Sequence, residues 1–236
     1  MTRSIADQTE SQLGGSRSVL VRQKRDHIEL DRLLHAIDKS TGTQRQDLVN
    51  SLCKLVFPHA FAEESVLWPI VRAELPDGEA LTLQIEREHQ EINELFTELE
   101  KLEPDAPEHR ELFGRIATVL REDVRDEEDV LLPKLQDKVS PKQLRQIGMQ
   151  WEVVRRTAPT RPHPVVARRP PGNVLAALPL TILDRGRDQL DRASRRTHGS
   201  TSARLRTVSG ALADAAGRIE HLPLLTRGDR AETHRE

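Results

Sequence analysis

The chain of 236 residues contains no tyrosine and one cysteine, Cys53. The lack of tyrosine excludes chemistry that needs a tyrosyl radical, and one cysteine cannot form a disulfide within the chain. No run of 18 apolar residues occurs, and the opening segment MTRSIADQTESQLGGS lacks the apolar core of a secretion signal. We therefore expect a cytoplasmic protein with no membrane partner.

Aromatic residues are scarce and unevenly placed. Four phenylalanines and Trp68 precede residue 150, and none of Phe, Trp or Tyr follows Trp151. Residues 151–236 hold 16 Arg, no Lys and nine acids, a net charge of +7, whereas residues 1–150 have a net charge of −9. Because a core needs large apolar side chains to offset lost chain entropy, the first part should fold and the second should be a basic appendage.

Apolar residues recur at steps of three and four, which is typical of helices, and strand patterns are scarce. The pattern predicts four long helices over residues 18–39, 44–74, 79–103 and 107–138, the last kinked near Pro133. A short fifth helix should begin with Ser140 as N-cap and Pro141 in the first turn. Short connections between four long helices predict an all-α fold, an up-down-up-down four-helix bundle.

Helical periodicity, proline content and the distribution of aromatic residues together divide the chain into four regions. We expect a disordered N-terminus over residues 1–17, the bundle with its fifth helix over 18–155, and a Pro-rich linker over 156–173. Five prolines between residues 158 and 173 exclude a regular helix there. Residues 174–236 complete a Pro-, Arg- and Ala-rich C-terminal extension, which should be partly helical and partly disordered.

Two segments of the first half recur in the second. RDHIELDRLL at 25–34 aligns with REHQEINELF at 87–96, and VFPHAFAEESVLWP at 56–69 aligns with LREDVRDEEDVLLP at 120–133. The first and second helices therefore resemble the third and fourth. This predicts two related helical hairpins that pack with approximate twofold symmetry.

Polar residues interrupt the apolar stripes of all four helices at related positions. The residues are His27, His59, Glu63, His89, Asp123 and Glu127. Burying three carboxylates together is costly unless they are protonated or surround cations, and three nearby histidines favour cations. Imidazole with carboxylate suits iron, manganese or zinc, and six ligands exceed the needs of one tetrahedral zinc ion. Two ions bridged by carboxylates would use all six.

Other readings of these polar residues carry less weight. Isolated His–Glu salt bridges would not explain why the pairs recur at repeat-related positions. Glu64 and Glu128 lie one residue off the stripes, as flanking groups, and His35 and His109 should lie away from the site. Glu86 and His89 form one E-x-x-H, whereas a ferritin-type centre needs two such motifs.

At these residues the chain resembles the hemerythrin-like HHE cation-binding family. The resemblance covers about residues 18–138, through His27, HAFAE at 59–63, EREH at 86–89 and DVRDE at 123–127. The extension is also similar to that of actinobacterial members. The resemblance implies a four-helix bundle that holds two non-haem iron ions bridged by oxygen and carboxylates. It also implies, as ligands, His27, His59, Glu63, His89, Asp123 and Glu127, with Glu63 and Glu127 as bridges.

The sequence departs from the family pattern twice. Asp123 stands where the fourth helix should carry histidine, and Asn93 stands where oxygen carriers have a second histidine on the third helix. A carboxylate favours the ferric state, so reversible oxygen carriage is not expected. We expect instead a protein that binds, senses or detoxifies O2, peroxide or nitric oxide, with manganese or zinc as alternative metals.

A second hypothesis assigns the metal a structural role. The protein would then be a scaffold or stress-response interaction protein that acts through its basic tail. Arginines can contact phosphates, but nine interspersed acids and no aromatic partners make nucleic acid an unlikely ligand. The tail's partner is not identified by its sequence.

Overall fold

The computed structural model describes residues 3–228 and 230–233, and within these ranges it contains helices and turns but no strand. The α-helices are α1 (Val19–Asp38), α2 (Gly42–Ala62), α3 (Trp68–Glu74), α4 (Gly78–Leu99), α5 (Pro107–Asp126), α6 (Leu132–Lys138), α7 (Pro141–Thr157), α8 (Gly172–Arg196) and α9 (Gly199–Glu220). The all-α bundle predicted from the sequence is confirmed. No helix in the described ranges has the length and apolar character needed to cross a bilayer.

Helix starts follow the expected capping chemistry. The side chain of Ser18 accepts a hydrogen bond from the backbone N–H of Leu20 and opens α1. Ser140 and Gln143 form a reciprocal capping box at the start of α7, with Pro141 in the first turn. The short fifth helix is therefore present where its start signal predicted it.

The second and fourth long helices each contain a wide π-helical turn. One spans Glu63–Leu67, between α2 and α3, and the other spans Glu127–Leu131, between α5 and α6. Each turn ends two residues before a proline, Pro69 or Pro133. A proline has no N–H to donate, and its ring clashes with the carbonyl of the preceding α-helical turn, so a wider turn is favoured there. The distortion expected near Pro133 thus occupies the turn before it, with a counterpart in the first half.

Two apolar clusters fill the bundle at opposite ends. One includes Leu20, Trp68, Leu132 and Trp151, and the other lies among the residues from Leu30 to Ile37, Leu52 to Phe57, Ile92 to Leu99 and Phe113 to Leu120. Along every long helix the residues between these clusters are the polar ones singled out above. The polar residues therefore form a layer between the two apolar clusters of the bundle.

The disorder expected for residues 1–17 stays a prediction, and residues 1–2 of that segment lie outside the described ranges. Residues Ile5–Asp7 form a 3-10 turn, and the side chains of Ile5 and Leu13 are fully buried in the cluster that contains Trp68. These two isolated apolar residues anchor a segment that is otherwise polar. Composition alone does not reveal such an anchor.

The disordered part of the tail is not confirmed, because α8 and α9 form a helical hairpin. Its small core contains Val166, Ala176, Leu180, Ala216 and Leu225. Small residues let the two helices approach closely, so few bulky side chains are needed. The expectation of disorder rested on the shortage of bulky side chains.

The Pro-rich linker packs against both the hairpin and the bundle. Asp184, which is fully buried in α8, accepts hydrogen bonds from the backbone N–H groups of Thr160 and Arg161 and contacts the His163 ring at 3.1 Å. On the other side, the side chain of Gln90 donates to the carbonyl of Pro164 at 3.0 Å. The division into bundle, linker and tail remains a prediction.

Candidate metal centre

The six predicted site residues lie on four different helices and face one interior point. His27 comes from α1, His59 from the end of α2 and His89 from α4. Glu63 and Glu127 are the first residues of the two π-helical turns, and Asp123 lies one turn before Glu127. All six side chains belong to residues that are at most 9% exposed, so the cluster is shielded from bulk water.

Ligand atoms of these residues form two overlapping groups. In each group, the ligand atoms all lie within 4.8 Å of one another. The first group contains His27, His59, Glu63 and Glu127, and the second contains His89, Asp123 and Glu127. Because Glu127 belongs to both groups, its carboxylate could contribute oxygen atoms to an ion in each group.

Glu63 also reaches across to the second group. Its Oε1 lies 3.0 Å from His59 Nε2, and its Oε2 lies 3.5 Å from His89 Nε2. On the other side, Glu127 Oε2 lies 3.2 Å from His27 Nε2. Glu63 therefore extends between histidines of two helices, and the bridging role that the family resemblance implies for Glu63 and Glu127 stays a prediction.

The inner atoms approach one another without forming good hydrogen bonds. Within the described residues, both oxygens of Glu63, both oxygens of Glu127 and Asp123 Oδ1 are buried and receive no hydrogen bond. The Nε2 atoms of His27 and His59 face each other at 3.4 Å. Buried carboxylates without donors are costly, whereas cations between these atoms would satisfy them all. The donor set therefore fits metal ions, and nitrogen and oxygen ligands together suit iron, manganese or zinc.

Each histidine has a carboxylate on its outer side. His27 Nδ1 lies 2.9 Å from Glu128 Oε1, and His89 Nδ1 lies 3.0 Å from Glu64 Oε1. His59 Nδ1 lies 3.2 Å from Asp26 Oδ2. Such outer carboxylates fix the orientation of a ligating imidazole and leave the Nε2 lone pair for a metal ion.

The electrostatics of the metal-free cluster follow from this crowding. Burial lowers the pKa of His27, but Glu127 and Glu128 outweigh it and raise that pKa to about 9. Burial likewise opposes protonation of His89, but Asp123 and Glu64 raise its pKa to about 10. Burial and the charge of Glu127 raise the pKa of Asp123 well above its usual range. Without cations, these surroundings therefore favour the protonated forms of His27, His89 and Asp123.

A small cavity of about 20 Å³ adjoins the cluster. His27, His59, His89 and Asp123 line one side, and an apolar wall lines the other, with Leu30, Val56, Phe57, Ile92 and Leu120. A space of this size holds about one water-sized molecule. The free space beside the cluster therefore has about the size of one small molecule.

The apolar residues near the ligand positions in the sequence predict a wall made of Leu30, Leu34, Phe57, Phe61, Phe96 and Trp68. Of these, Leu30 and Phe57 line this cavity. Trp68 instead stacks on the His89 ring at a centroid distance of 6.4 Å. Leu34 and Phe96 lie deeper in the apolar cluster, and Phe61 lines a separate cavity under the linker. The rest of the apolar cavity wall includes Val56, Ile92 and Leu120, which were not predicted.

Residues expected to lie off the site do so. His35 is exposed, and its Nδ1 contacts the carbonyl of Asp31. His109 is buried near the start of α5, away from the cluster. Glu86 is fully buried between Arg72, at 3.1 Å, and Arg169, at 2.7 Å, so it is not free to act as a ferritin-type ligand.

Three contacts to the site were not foreseen. Asp26 is the outer partner of His59, Trp151 packs edge-on against the His59 ring at 5.4 Å, and Arg168 of the linker lies 3.8 Å from Glu64. Asp26 could have been found, because all three outer carboxylates lie one residue from an inner ligand. Trp151 and Arg168 lie outside the repeated segments, so no sequence pattern predicts that they contact the site.

A glycine allows Trp151 to reach this position. A Cβ atom at Gly148 would collide with the backbone carbonyl of Arg17, just before α1. Glycine therefore permits α7 to lie directly against the start of α1. One turn further along α7, the Trp151 ring covers the side of His59 that the four long helices leave open.

Asn93 connects the cavity to the linker. Its side-chain N–H donates to the carbonyl of His89 at 2.8 Å, and its carbonyl oxygen accepts from the backbone N–H of His163 at 2.9 Å. The amide thus occupies the cavity wall where oxygen carriers of the resembled family have histidine. It positions the linker and adds no nitrogen ligand.

Comparisons with known proteins agree with this arrangement. Residues 19–135 match the model of the Hemerythrin HHE cation binding domain family. An uncharacterized hemerythrin-like protein of Schizosaccharomyces pombe is 22% identical over 173 residues, which cover 71% of this chain and 84% of that protein. A protein named DNA nickase from Nostoc sp. is 27% identical over 131 residues, 55% of this chain.

The match to the Nostoc protein spans 37% of its length, so the chain covers about a third of that relative. No solved structure matches. The matched region contains all four helices that contribute the cluster. Through residues 19–135, the chain belongs to the Hemerythrin HHE cation binding domain family.

Proposed function

We propose that the cluster holds two iron ions and that the protein binds, senses or removes a small oxidant: O2, peroxide or nitric oxide. The observation that carries this proposal is the pair of overlapping ligand groups beside a cavity of about 20 Å³. Two iron ions would supply an electron-exchange centre that reacts with such molecules. The ligands would be His27, His59, Glu63, His89, Asp123 and Glu127.

The chain's own residues prepare the site for this chemistry. Asp26, Glu64 and Glu128 hold the three imidazole rings in orientation through their Nδ1 atoms. The apolar wall excludes bulk water and limits the size of the entering molecule. The anionic Asp123 in place of histidine favours the ferric state, which supports sensing or removal of an oxidant over reversible carriage. Cys53, half-buried and without a disulfide partner, accords with a cytoplasmic location.

Anaerobic loading with ferrous iron, followed by air, peroxide or nitric oxide, tests the proposal. We expect close to two iron ions per chain and new near-ultraviolet ligand-to-iron absorption. Parallel loading with manganese and zinc compares their retention with that of iron. Less than one iron per chain, with no absorption change on adding any of the oxidants, would contradict the assignment.

A DNA-directed activity is the second candidate, because one relative is named a DNA nickase. The buried cluster argues against it, since a phosphodiester cannot enter a cavity of about 20 Å³. Three arginines of the extension are also engaged by acids of the protein, namely Arg161, Arg168 and Arg169. Incubation of the metal-loaded protein with supercoiled plasmid should yield no open-circular product. Nicking that disappears in Glu63→Gln would reverse this conclusion.

The scaffold hypothesis makes a different prediction. If the metal were structural, ions would be retained but no oxidant would change the absorption spectrum. Retention of two irons without any spectral response would therefore favour the scaffold.

A further inference from the structure

A second cavity, of about 700 Å³, lies between the bundle and the C-terminal hairpin. Its walls come from α2, the end of α4 with the connection to α5, and the facing sides of α8 and α9. The volume falls in the range of small-molecule binding sites, about 300 to 1,000 Å³. It is separate from the cavity beside the metal cluster, so the proposed oxidant chemistry does not account for it.

Arg45 gives this cavity a fixed positive charge. Its residue is 3% exposed, its Nη1 donates to the carbonyl of Ile37 at 2.7 Å, and its guanidinium lies 5.1 Å from the Phe113 ring centroid. Its Nε is buried and donates to no atom of the described residues. Within those ranges no acid forms an ion pair with it, and Asp38 and Asp105 attract it only from a longer distance. A rigid, buried and unpaired guanidinium is a site for an anion.

Further cations face the same space. Within the described part of the chain, neither Lys101 nor Arg206 has an ion pair, and the Arg206 side chain donates to Ser202 Oγ at 3.1 Å. Arg187 makes a long contact of 3.4 Å with Glu100, and its Nε is buried without an acceptor. Four cationic side chains are thus available to a ligand.

Two of the acids that line the cavity are already engaged. Asp191 binds Arg161 at 2.6 Å and accepts a hydrogen bond from Ser209 at 2.6 Å. Glu100 contacts Arg161 at 3.2 Å as well as Arg187. The third lining acid, Glu103, faces the unpaired cations alone. The cavity therefore carries an excess of positive charge.

Apolar side chains also line the cavity, among them Val49, Phe96, Leu99 and Leu102. His109, which is 6% exposed, lines it too and has a buried Nδ1 that makes no hydrogen bond within the described residues. The lining thus offers cations to negatively charged oxygens and apolar side chains to an apolar or aromatic group.

We propose that this cavity binds a nucleotide-sized organic phosphate, with its phosphate oxygens on Arg45, Lys101 and Arg206 and its apolar part against Val49 and Leu99. Guanidinium groups form charge-assisted, often paired hydrogen bonds with phosphate oxygens. The site joins the bundle to the extension, so an occupant would fasten the two together. The proposal is independent of the metal chemistry.

Titration calorimetry of the full chain with ATP and with pyrophosphate tests this site. We expect one ATP per chain, weaker binding of pyrophosphate because it lacks an apolar part, and a rise in Tm with ATP. Arg206→Glu should weaken ATP binding by about tenfold or more, since it removes one charge-assisted contact and adds repulsion. Arg204→Glu, an equally exposed change on the same helix outside the cavity, should leave ATP binding unchanged.

The far-ultraviolet circular dichroism spectrum and Tm without ligand identify a variant that has simply misfolded. If Arg206→Glu loses its helical signal, Lys101→Glu, on the bundle side of the cavity, replaces it with the same expectation. The proposal is overturned if ATP does not bind, if pyrophosphate binds as tightly as ATP, or if Arg204→Glu weakens binding as much as Arg206→Glu. Tighter binding of a single-stranded oligonucleotide that competes with ATP would also overturn it, because the ligand would then be nucleic acid.

Discussion

The two repeat-related halves of the bundle have the same helical arrangement but differ in the candidate ligands that they provide. The first half contributes His27, His59 and Glu63, and the second contributes His89, Asp123 and Glu127. Both halves place a glutamate at the start of a π-helical turn. His59 has Asp26 and Trp151 beside it, whereas the residue at the same position in the second half is a carboxylate with a raised pKa.

This difference indicates that metal positions formed by these two groups would be unequal. The group around His27 and His59 offers two imidazoles and two carboxylates, and the group around His89 offers one imidazole and two carboxylates. A higher proportion of carboxylate to imidazole favours harder, more highly charged cations. We therefore expect the position near Asp123 to favour the ferric ion more strongly than the position near His59.

Removal of the shared ligand should have the largest effect. Glu127→Gln retains the side-chain size but replaces a ligand of both groups, so iron should fall from about two per chain to well below one. Elemental analysis of the purified protein measures this loss. Glu122→Gln, an exposed change on the same helix, should retain both ions. Loss of only one ion from Glu127→Gln would show that Glu127 does not bridge.

Exchange of the unequal ligands tests the comparison directly. His59→Asp should weaken binding at the first position, whereas Asp123→His should bring the second position closer to the first and stabilise its ferrous state. Reductive titration of the iron-loaded proteins should show a higher midpoint potential for Asp123→His than for the wild-type chain. An unchanged potential would mean that Asp123 is not a ligand.

Loss of an outer carboxylate should have a smaller effect. Asp26→Asn and Glu64→Gln remove the acceptors that orient His59 and His89, and such changes typically lower metal affinity by about 10- to 100-fold. Competition with a chelator of known affinity measures the change. Asp31→Asn, an exposed change on α1, provides the control. Equal affinity in all three variants would exclude a role for the outer carboxylates.

The pH dependence of the metal-free protein should show the smallest effect. His27 and His89 have folded-state pKa values of about 9 and about 10, above the ordinary value of 6.5, so their stabilisation is complete below pH 6.5. The folded state loses it as the pH rises through 9 to 10, because it binds more protons than the unfolded state. Chelator-treated protein should therefore lose on the order of 1 kcal/mol or more in its free energy of unfolding between pH 7 and 10.

Metal ions should remove most of this pH dependence. Cations displace the protons from the imidazoles, so binding releases protons and strengthens as the pH rises toward 8. Denaturant unfolding with and without iron at several pH values compares the two states. If the metal-free protein became more stable between pH 7 and 10, the proton-bound cluster described above would be wrong.

Local sequence patterns were sufficient to predict the bundle and to place the six polar residues together. Helical spacing put His59 and Glu63 on one face, and the repeat showed that Asp123 and Glu127 occupy the same positions. The assignment of these residues as ligands remains a prediction. What could not be foreseen comes from contacts distant in sequence, such as Trp151 on His59 and Arg168 near Glu64.

The extension shows a different reason for a missed prediction. Its hairpin is held by small residues and by a buried ionic network around Arg161, Asp184 and Asp188, not by bulky apolar side chains. A count of large side chains therefore underestimates its order. The same network places the linker against Asn93 and Glu64, next to the metal cluster.

The two π-helical turns make the site depend on the length of the chain as well as on its residue types. Each wide turn accommodates one residue more than an ordinary α-turn, which offsets the helix on its two sides by about 100°. Loss of a single residue from Glu127–Leu131 would let an ordinary turn form and would rotate the ligands away from the apolar face that follows. Insertions and deletions should accordingly be far less tolerated here than substitutions at exposed positions, and any transplant of this centre into another bundle would have to carry both turns with it.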